Sequence, residues 1–262
     1  MENDLSNIRF LYFAVTLGVL AVAEAYFPRR SRSLPRSIRW FENFTLIASG
    51  WLVAKFTIGF LPFVAASWAY ENNIGLLNSF SITSLTAIIL TYLLLDLTIY
   101  LQHIVFHKIP ILWRIHRVHH TDLDLDVSSG FRFHPLEILL SLMIKIVAII
   151  VIGANPTGVI AFEIILNMGS LFNHSNLNIR GRFDKVLRAF IVTPDMHRIH
   201  HSVERRETDS NYGFTISLWD RIFRTYRDKS LRSQEDIILG IKEYQNHESI
   251  KLGMLFKLPF ER

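Results

Sequence analysis

The chain contains no cysteine, and that absence removes two options. It can form no disulfide, and it cannot ligate an iron–sulfur cluster through thiolates of its own, so redox chemistry built on it must draw electrons from outside. Charge is scarce over long stretches: half of the 262 residues are apolar and the mean hydropathy is +0.26. A chain this oily belongs in a bilayer rather than among soluble domains of its length. The basic start of a secretory signal is also missing, because Glu2 and Asp4 precede a lone Arg9 before the apolar stretch 10–26. Although Ala21-Val22-Ala23 imitates a cleavage site, the stretch is expected to be a retained helix. There is no internal repeat, no low-complexity tract, no H-E-x-x-H helix, and no flavin or haem signature.

A net charge of +5 and a pI near 9.5 would suit nucleic acid, but the basic residues flank apolar segments rather than forming a polar domain. Membrane topology accounts for them, and no nucleic-acid partner is expected. Three apolar runs, 10–26, 44–68 and 82–101, approach or exceed the roughly 20 residues a spanning helix needs. Two shorter runs, 138–152 and 158–172, are joined by the uncharged turn Gly153-Ala154-Asn155-Pro156. They read as a helical hairpin that enters and returns on one side, short for full crossings. Arg29, Arg30, Arg32, Arg36 and Arg39 lie between the first two runs, whereas 70–78 holds no Lys or Arg. This bias sets the arginine loop in the cytosol. Counting crossings from there brings His103 and His174 to the same face.

Lys145 and Glu163 interrupt the hairpin at roughly 15 and 12 Å from its turn at helical rise, and are expected to pair across it. Lys55 and Asp96 raise the same choice between a structural and a functional intramembrane charge. The expectation is an all-α integral membrane protein, with transmembrane helices, a helical hairpin and a cytosolic histidine-rich helical cap. Its parts are 1–79 (membrane helices and arginine loop), 80–227 (histidine-bearing core) and 228–262 (cytosolic tail), the tail ending in an amphipathic piece, 252–260, laid on the membrane.

Eleven histidines are present, and all but His247 fall between His103 and His201. His103 and His107, four apart on a helix continuing from 82–101, share one face. His116, His119 and His120 form H-x-x-H-H, and His197, His200 and His201 repeat it; positions i, i+3 and i+4 converge on a helix. His134 and His174 complete the set. Imidazoles gathered on one membrane face would repel one another if protonated, whereas neutral ones make good transition-metal ligands. A structural or hydrolytic zinc needs three or four ligands, so eight to ten histidines suit two ions. Imidazole accepts iron, zinc and copper alike, and the residues alone leave the metal open.

The order Asp96-x-x-x-Tyr100-x-x-His103-x-x-x-His107, His116-x-x-His119-His120, Arg132-x-His134-Pro135, Asn173-His174 and His197-x-x-His200-His201 resembles the fatty acid hydroxylase/sterol desaturase family. Asn211-Tyr212-Gly213 and Trp219-Asp220-x-x-Phe223-x-Thr225 extend the resemblance to about residues 80–227. It implies two non-haem iron ions held by all ten boxed histidines at the cytosolic membrane surface, with O2 as co-substrate. It also implies a lipid substrate (a sterol, a sphingolipid or a fatty acyl or alkyl chain) and an external electron donor. The basic cytosolic face makes that donor a ferredoxin or a cytochrome b5-like protein with its reductase. Asp96, Asn173 and Asp195 are expected to orient ligand imidazoles through the second ring nitrogen. No residue separates hydroxylation from desaturation or ether cleavage. Two rivals stand beside this lipid oxygenase: a zinc-dependent membrane hydrolase, and a non-enzymatic metal carrier, whose polar groups should lie within the helices rather than at their ends.

Overall fold

The computed structural model describes residues 2–57 and 62–261. Seven helices carry the first two thirds of the chain: α1 (Glu2–Tyr26), α2 (Arg36–Thr57), α3 (Pro62–Glu71), α4 (Ser84–Lys108), α5 (Pro110–His120), α6 (Pro135–Ile152) and α7 (Pro156–His174). Short helices follow: α8 (Gly181–Leu187), α9 (Pro194–His200), α10 (Arg205–Thr208), α11 (Leu218–Ile222) and α12 (Leu252–Lys257). Among the described residues there is no β-strand, only isolated bridges such as Ile191 to Ile216. Four stretches are long and apolar enough to cross a membrane: Asn7–Tyr26, Arg36–Glu71, Ser84–Lys108 and Pro135–Ile152. The protein is an all-helical integral membrane protein. Residues 58–61, in the middle of the expected 44–68 run, lie outside the described residues.

Helix ends follow local chemistry. The Thr83 hydroxyl accepts the Thr86 N–H at 3.3 Å to start α4, and Asn155 caps α7 by accepting from Thr157 and Gly158 at 3.0 and 3.2 Å, with Pro156 at its first position. Between α6 and α7, Gly153 takes the left-handed φ of +67°, which a residue with a Cβ resists. A Cβ on Gly75, itself at φ +98°, would meet the Gly153 nitrogen at 2.2 Å. The hairpin tip is thus locked backbone to backbone on the 72–79 loop, where the Leu76 N–H also donates to the Val151 carbonyl at 3.0 Å.

This hairpin is the hub of the helical layer. α1, α3 and α4 pack on α7, while α2, α3 and α4 pack on α6. Lys145 and Glu163 do pair across it at 3.0 Å, and Arg9 from α1 reaches the other oxygen of Glu163 at 3.0 Å. One carboxylate thereby pairs with two cations in the apolar layer. Lys55 lies over the Trp51 ring at 4.9 Å. Asp96 accepts from the Trp219 indole at 2.8 Å and from the Thr215 hydroxyl, pinning the segment after α10 onto α4.

The arginine loop lies against the histidine-bearing segments. Arg29 reaches Asp195 at 3.3 Å, and Asp124 accepts from the Ser33 and Leu34 amides at 2.8 and 2.9 Å. Buried Arg39 donates to Asp122 at 2.8 Å and to Asp126, so α2 is tied to the loop after α5. The segment 252–260, expected on the membrane surface, instead folds onto α5 and α2: Leu255 and Leu258 are buried with Leu46 and Val118, and the Arg117 guanidinium donates to the Glu261 carbonyl at 2.8 Å. Leu255 and Leu258 find an apolar surface within the protein, and of the segment's large apolar side chains Phe260 stays exposed.

Candidate metal centre

α4 and α5 meet at Ile109-Pro110, where a proline at the first position of α5 starts a new helix at once. The His103 and His107 face of α4 thereby confronts the His116 and His120 face of α5. α7 delivers His174 from its last turn, and α9, capped by Thr193, brings His197, His200 and His201. With His119, also on α5, they make nine side chains, every one of them buried.

They sort into two groups. His103, His107, His116, His120 and His200 present ligand nitrogens all within 4.8 Å of one another, and so do His119, His174, His197 and His201. The two H-x-x-H-H boxes are each divided: in the first, positions i and i+4 join the five-membered group and i+3 the other, and in the second the allotment is reversed. Instead of converging on one point, each box straddles both groups. The rings interleave, with His120 stacked on His201 at 4.5 Å and His197 on His200 at 5.1 Å between centroids.

Protonation states follow from the partners. His103 Nδ1 lies 2.7 Å from the Tyr212 carbonyl, His200 Nδ1 2.7 Å from that of Ser210, and His174 Nδ1 2.7 Å from that of Ser170. A carbonyl oxygen only accepts, so each Nδ1 carries the proton and donates it, leaving Nε2 with a bare lone pair. Yet Nε2 of His103 and Nε2 of His200 are 3.0 Å apart. Two lone pairs at that distance repel unless a cation accepts both. His107 and His120 moreover have both ring nitrogens buried without a hydrogen-bond partner. This donor set fits transition-metal ions, which take neutral imidazole nitrogen and need the opposite nitrogen anchored. Burial, then crowding by neighbouring imidazoles, pushes His119, His120, His197 and His201 far below the ordinary imidazole range, and burial takes His200 to about 3. These rings stay neutral at physiological pH, the form that can ligate a metal.

The structure does not bring His134 to either group. It stands at the N-cap of α6, where its Nδ1 accepts the Leu136 N–H at 3.1 Å and its Nε2 donates to the Phe256 carbonyl at 3.3 Å. The His-Pro pair that looks like a ligand motif is a helix start. None of Asp96, Asn173 and Asp195 makes the expected contact with an imidazole: Asp96 holds Thr215 and Trp219, the Asn173 amide donates to the Phe214 carbonyl at 2.8 Å, and Asp195 pairs with Arg29 and Arg198. Each is instead engaged by another donor or acceptor.

The groups that do orient the rings are backbone carbonyls and one carboxylate absent from the sequence reading. Glu137 accepts from His116 Nδ1 at 2.6 Å; its place in the first turn of α6, three residues after His134, was the available signal. Asp220 receives the Tyr212 and Gly213 amides at 2.8 and 2.9 Å, which aims the Tyr212 carbonyl at His103. Asn211, at φ +53°, braces the same turn by donating to the Met196 carbonyl at 3.0 Å. Phe133 stacks on His119 at 4.3 Å, with only 8° between the planes. Glu137→Gln is expected to weaken metal retention roughly 10- to 100-fold, as loss of an outer partner of a ligand histidine does; competition with a chelator reads it directly.

A buried polyhistidine centre at one end of membrane-length helices defines a class of membrane protein. A sequence profile described as Fatty acid hydroxylase matches residues 88–225, more than half of the chain, and the protein belongs to that family. Similar proteins include an ornithine lipid hydroxylase of Rhizobium tropici, 27% identical over 151 residues, which is 57% of this chain and 44% of that protein. The alkylglycerol monooxygenase of Homo sapiens is 28% identical over 57% of this chain and 32% of its own length. The lathosterol oxidase of Homo sapiens is 22% identical over 88% of this chain and 75% of its own. The chain thus spans less than half the length of the first two. No solved structure matches it.

Proposed function

We propose that the protein is a membrane-bound lipid oxygenase in which each histidine group holds one non-haem iron ion. His103, His107, His116, His120 and His200 would hold one, and His119, His174, His197 and His201 the other. The observation that carries the reading is the division of nine buried imidazoles into two adjacent sets whose bare Nε2 atoms converge. When bound, the iron pair supplies the oxidant that takes hydrogen from an unactivated lipid carbon, one atom of O2 entering the C–OH bond and the other leaving as water, with the electron pair and protons supplied from outside.

The chain's own part is to fix the imidazoles through Glu137 and the carbonyls of Ser170, Ser210 and Tyr212, and to exclude bulk water by burial. Electrons reach the centre from the polar side, where a cavity of about 240 Å³ is lined by Trp113, His120, Arg205 and Lys242. The Trp113 ring lies 5.0 Å from His107 and 5.3 Å from His120, with the Arg205 guanidinium 5.6 Å above its face. Glu243 also lines the cavity, and with Arg205 and Lys242 the rim keeps a net positive charge, which suits an acidic donor of the ferredoxin or cytochrome b5 kind. Because the arginine loop and the histidines share one end of the helices, the centre faces the cytosol.

Metal analysis and Mössbauer spectroscopy of detergent-purified protein test the reading, together with lipid extracts made with and without the active protein. About two coupled irons per chain and an oxidised lipid product are expected. Stoichiometric zinc that persists after iron-replete expression, with no lipid change, would sink it.

A further inference from the structure

A second cavity, of about 510 Å³, opens between α1 and α7 on the membrane side, a volume within the ordinary range for a bound small molecule. Its walls include Val19 and Leu20 of α1, Met168 and Phe172 of α7, and Ile191 and Phe214 of the cap, and no residue lining it carries a charge. The Tyr92 and Thr215 hydroxyls on its wall bond to each other at 2.8 Å, so they are already paired. At the inner end stands Phe214, whose ring is 5.1 Å from that of His103 and 6.3 Å from that of His197. One side chain therefore separates the groove from both histidine groups at once.

Its position is built in. The Asn173 amide donates to the Phe214 carbonyl at 2.8 Å, and the Val192 N–H to that of Thr215 at 3.0 Å. Gly169 lets the segment lie against α7, since a Cβ there would come within 2.8 Å of the Thr215 methyl. A charge-free trough between membrane helices cannot stabilise a head group, whose polar atoms would lose water without replacement partners. It accepts hydrocarbon, for which the lipid-exposed flank of α1 is the entry.

We propose that the groove receives one hydrocarbon tail of the lipid substrate and that Phe214 stops it, fixing which carbon lies beside the histidine groups. This rests on the oxygenase reading above. Phe214 is a specificity-determining residue: a smaller side chain lets the tail slide deeper and moves the oxidised position.

Two measurements on the full-length purified protein test it. In the first, metal-free protein is irradiated with palmitate carrying a diazirine at its terminal carbon, and adducts are mapped by peptide mass spectrometry. Adducts at Phe214, Thr215 and Phe172 are expected, falling at least tenfold in Met168→Trp, which fills the trough away from the histidines. Adducts confined to outward residues such as Val22 and Val147, equal in both proteins, would overturn the proposal. In the second, the positional isomers of the oxidised lipid are compared between wild type and Phe214→Ala, with Phe214→Leu as the milder change should alanine impair folding. A shift of one or more carbons is expected, and an unchanged isomer pattern would also overturn it. Photolabelling needs no turnover, so groove adducts without any lipid oxidation would defeat the oxygenase reading alone, whereas oxidation without groove adducts would defeat this inference alone.

Discussion

Replacing His197 with alanine is expected to strip the four-histidine group of its metal, leaving roughly one ion per chain where about two are expected of the intact protein. Three nitrogens would remain in that group, and its ion would lose one of the two imidazoles that α9 contributes. Lipid oxidation should fall on the order of a thousandfold or more, since even outer partners of ligand histidines are worth about 10- to 100-fold. His107→Ala makes the informative contrast. It reduces the five-membered group to four, and neither ring nitrogen of His107 makes a hydrogen bond, the Asp209 carboxylate standing 3.6 Å from its Nδ1, so no hydrogen bond is broken. Metal content should stay near its full value while activity drops less. Metal analysis of both variants after identical purification decides the point; equal losses would mean that the two groups do not act as separate ion sites.

The second large effect lies outside the histidines. Arg39→Met is expected to destabilise the protein by about 3–5 kcal/mol, the usual result of leaving buried charges unpaired, because Asp122 and Asp126 would keep their burial and lose their principal cation. Burial alone would raise the Asp122 carboxyl, but Arg39 and then Arg132 overcome this and hold it down to about 2. The sign follows. A carboxyl depressed on folding contributes stability that is complete above its ordinary value near 4 and is lost as pH falls through about 2. Without Arg39 burial pushes that carboxyl up, and a carboxyl raised on folding costs most while it is ionised, so the variant's deficit should be largest at pH 7 and shrink in mildly acidic buffer as protonation relieves it. Thermal unfolding in detergent at pH 7 and pH 4.5 measures both effects. A variant as stable as the parent at both values would show that the Arg39 cluster does not hold α2 to the loop after α5.

Much of this architecture is legible in the sequence because burial in lipid and metal ligation each demand composition at fixed spacing. The runs at 10–26 and 82–101 become α1 and α4, and the Gly-Ala-Asn-Pro turn becomes the hairpin tip with Asn155 capping and Pro156 opening the next helix. The Lys145–Glu163 pair was foreseeable because two helices leaving one turn keep register. The clustering of nine histidines was foreseeable too, but their division was not. Helical spacing places i, i+3 and i+4 on one face, and only the packing of α5 against α4, α7 and α9 decides which of them turns to which group. His134 misled because a histidine before proline has one sequence appearance whether its ring caps a helix or meets a metal. The carbonyls of Ser170, Ser210 and Tyr212 could not be read at all, since every residue owns a carbonyl. The turn set by Asn211 and Asp220 aims the Tyr212 carbonyl, whereas that of Ser170 is aimed by its place one turn before His174 in α7.

Because each H-x-x-H-H box contributes to both histidine groups, the distance between the two groups is set by the pitch of α5 and α9 rather than by side-chain rotamers. A twist of either helix moves donors in both groups together. The centre is therefore one mechanical part, in which a disturbance at the first group is transmitted to the second.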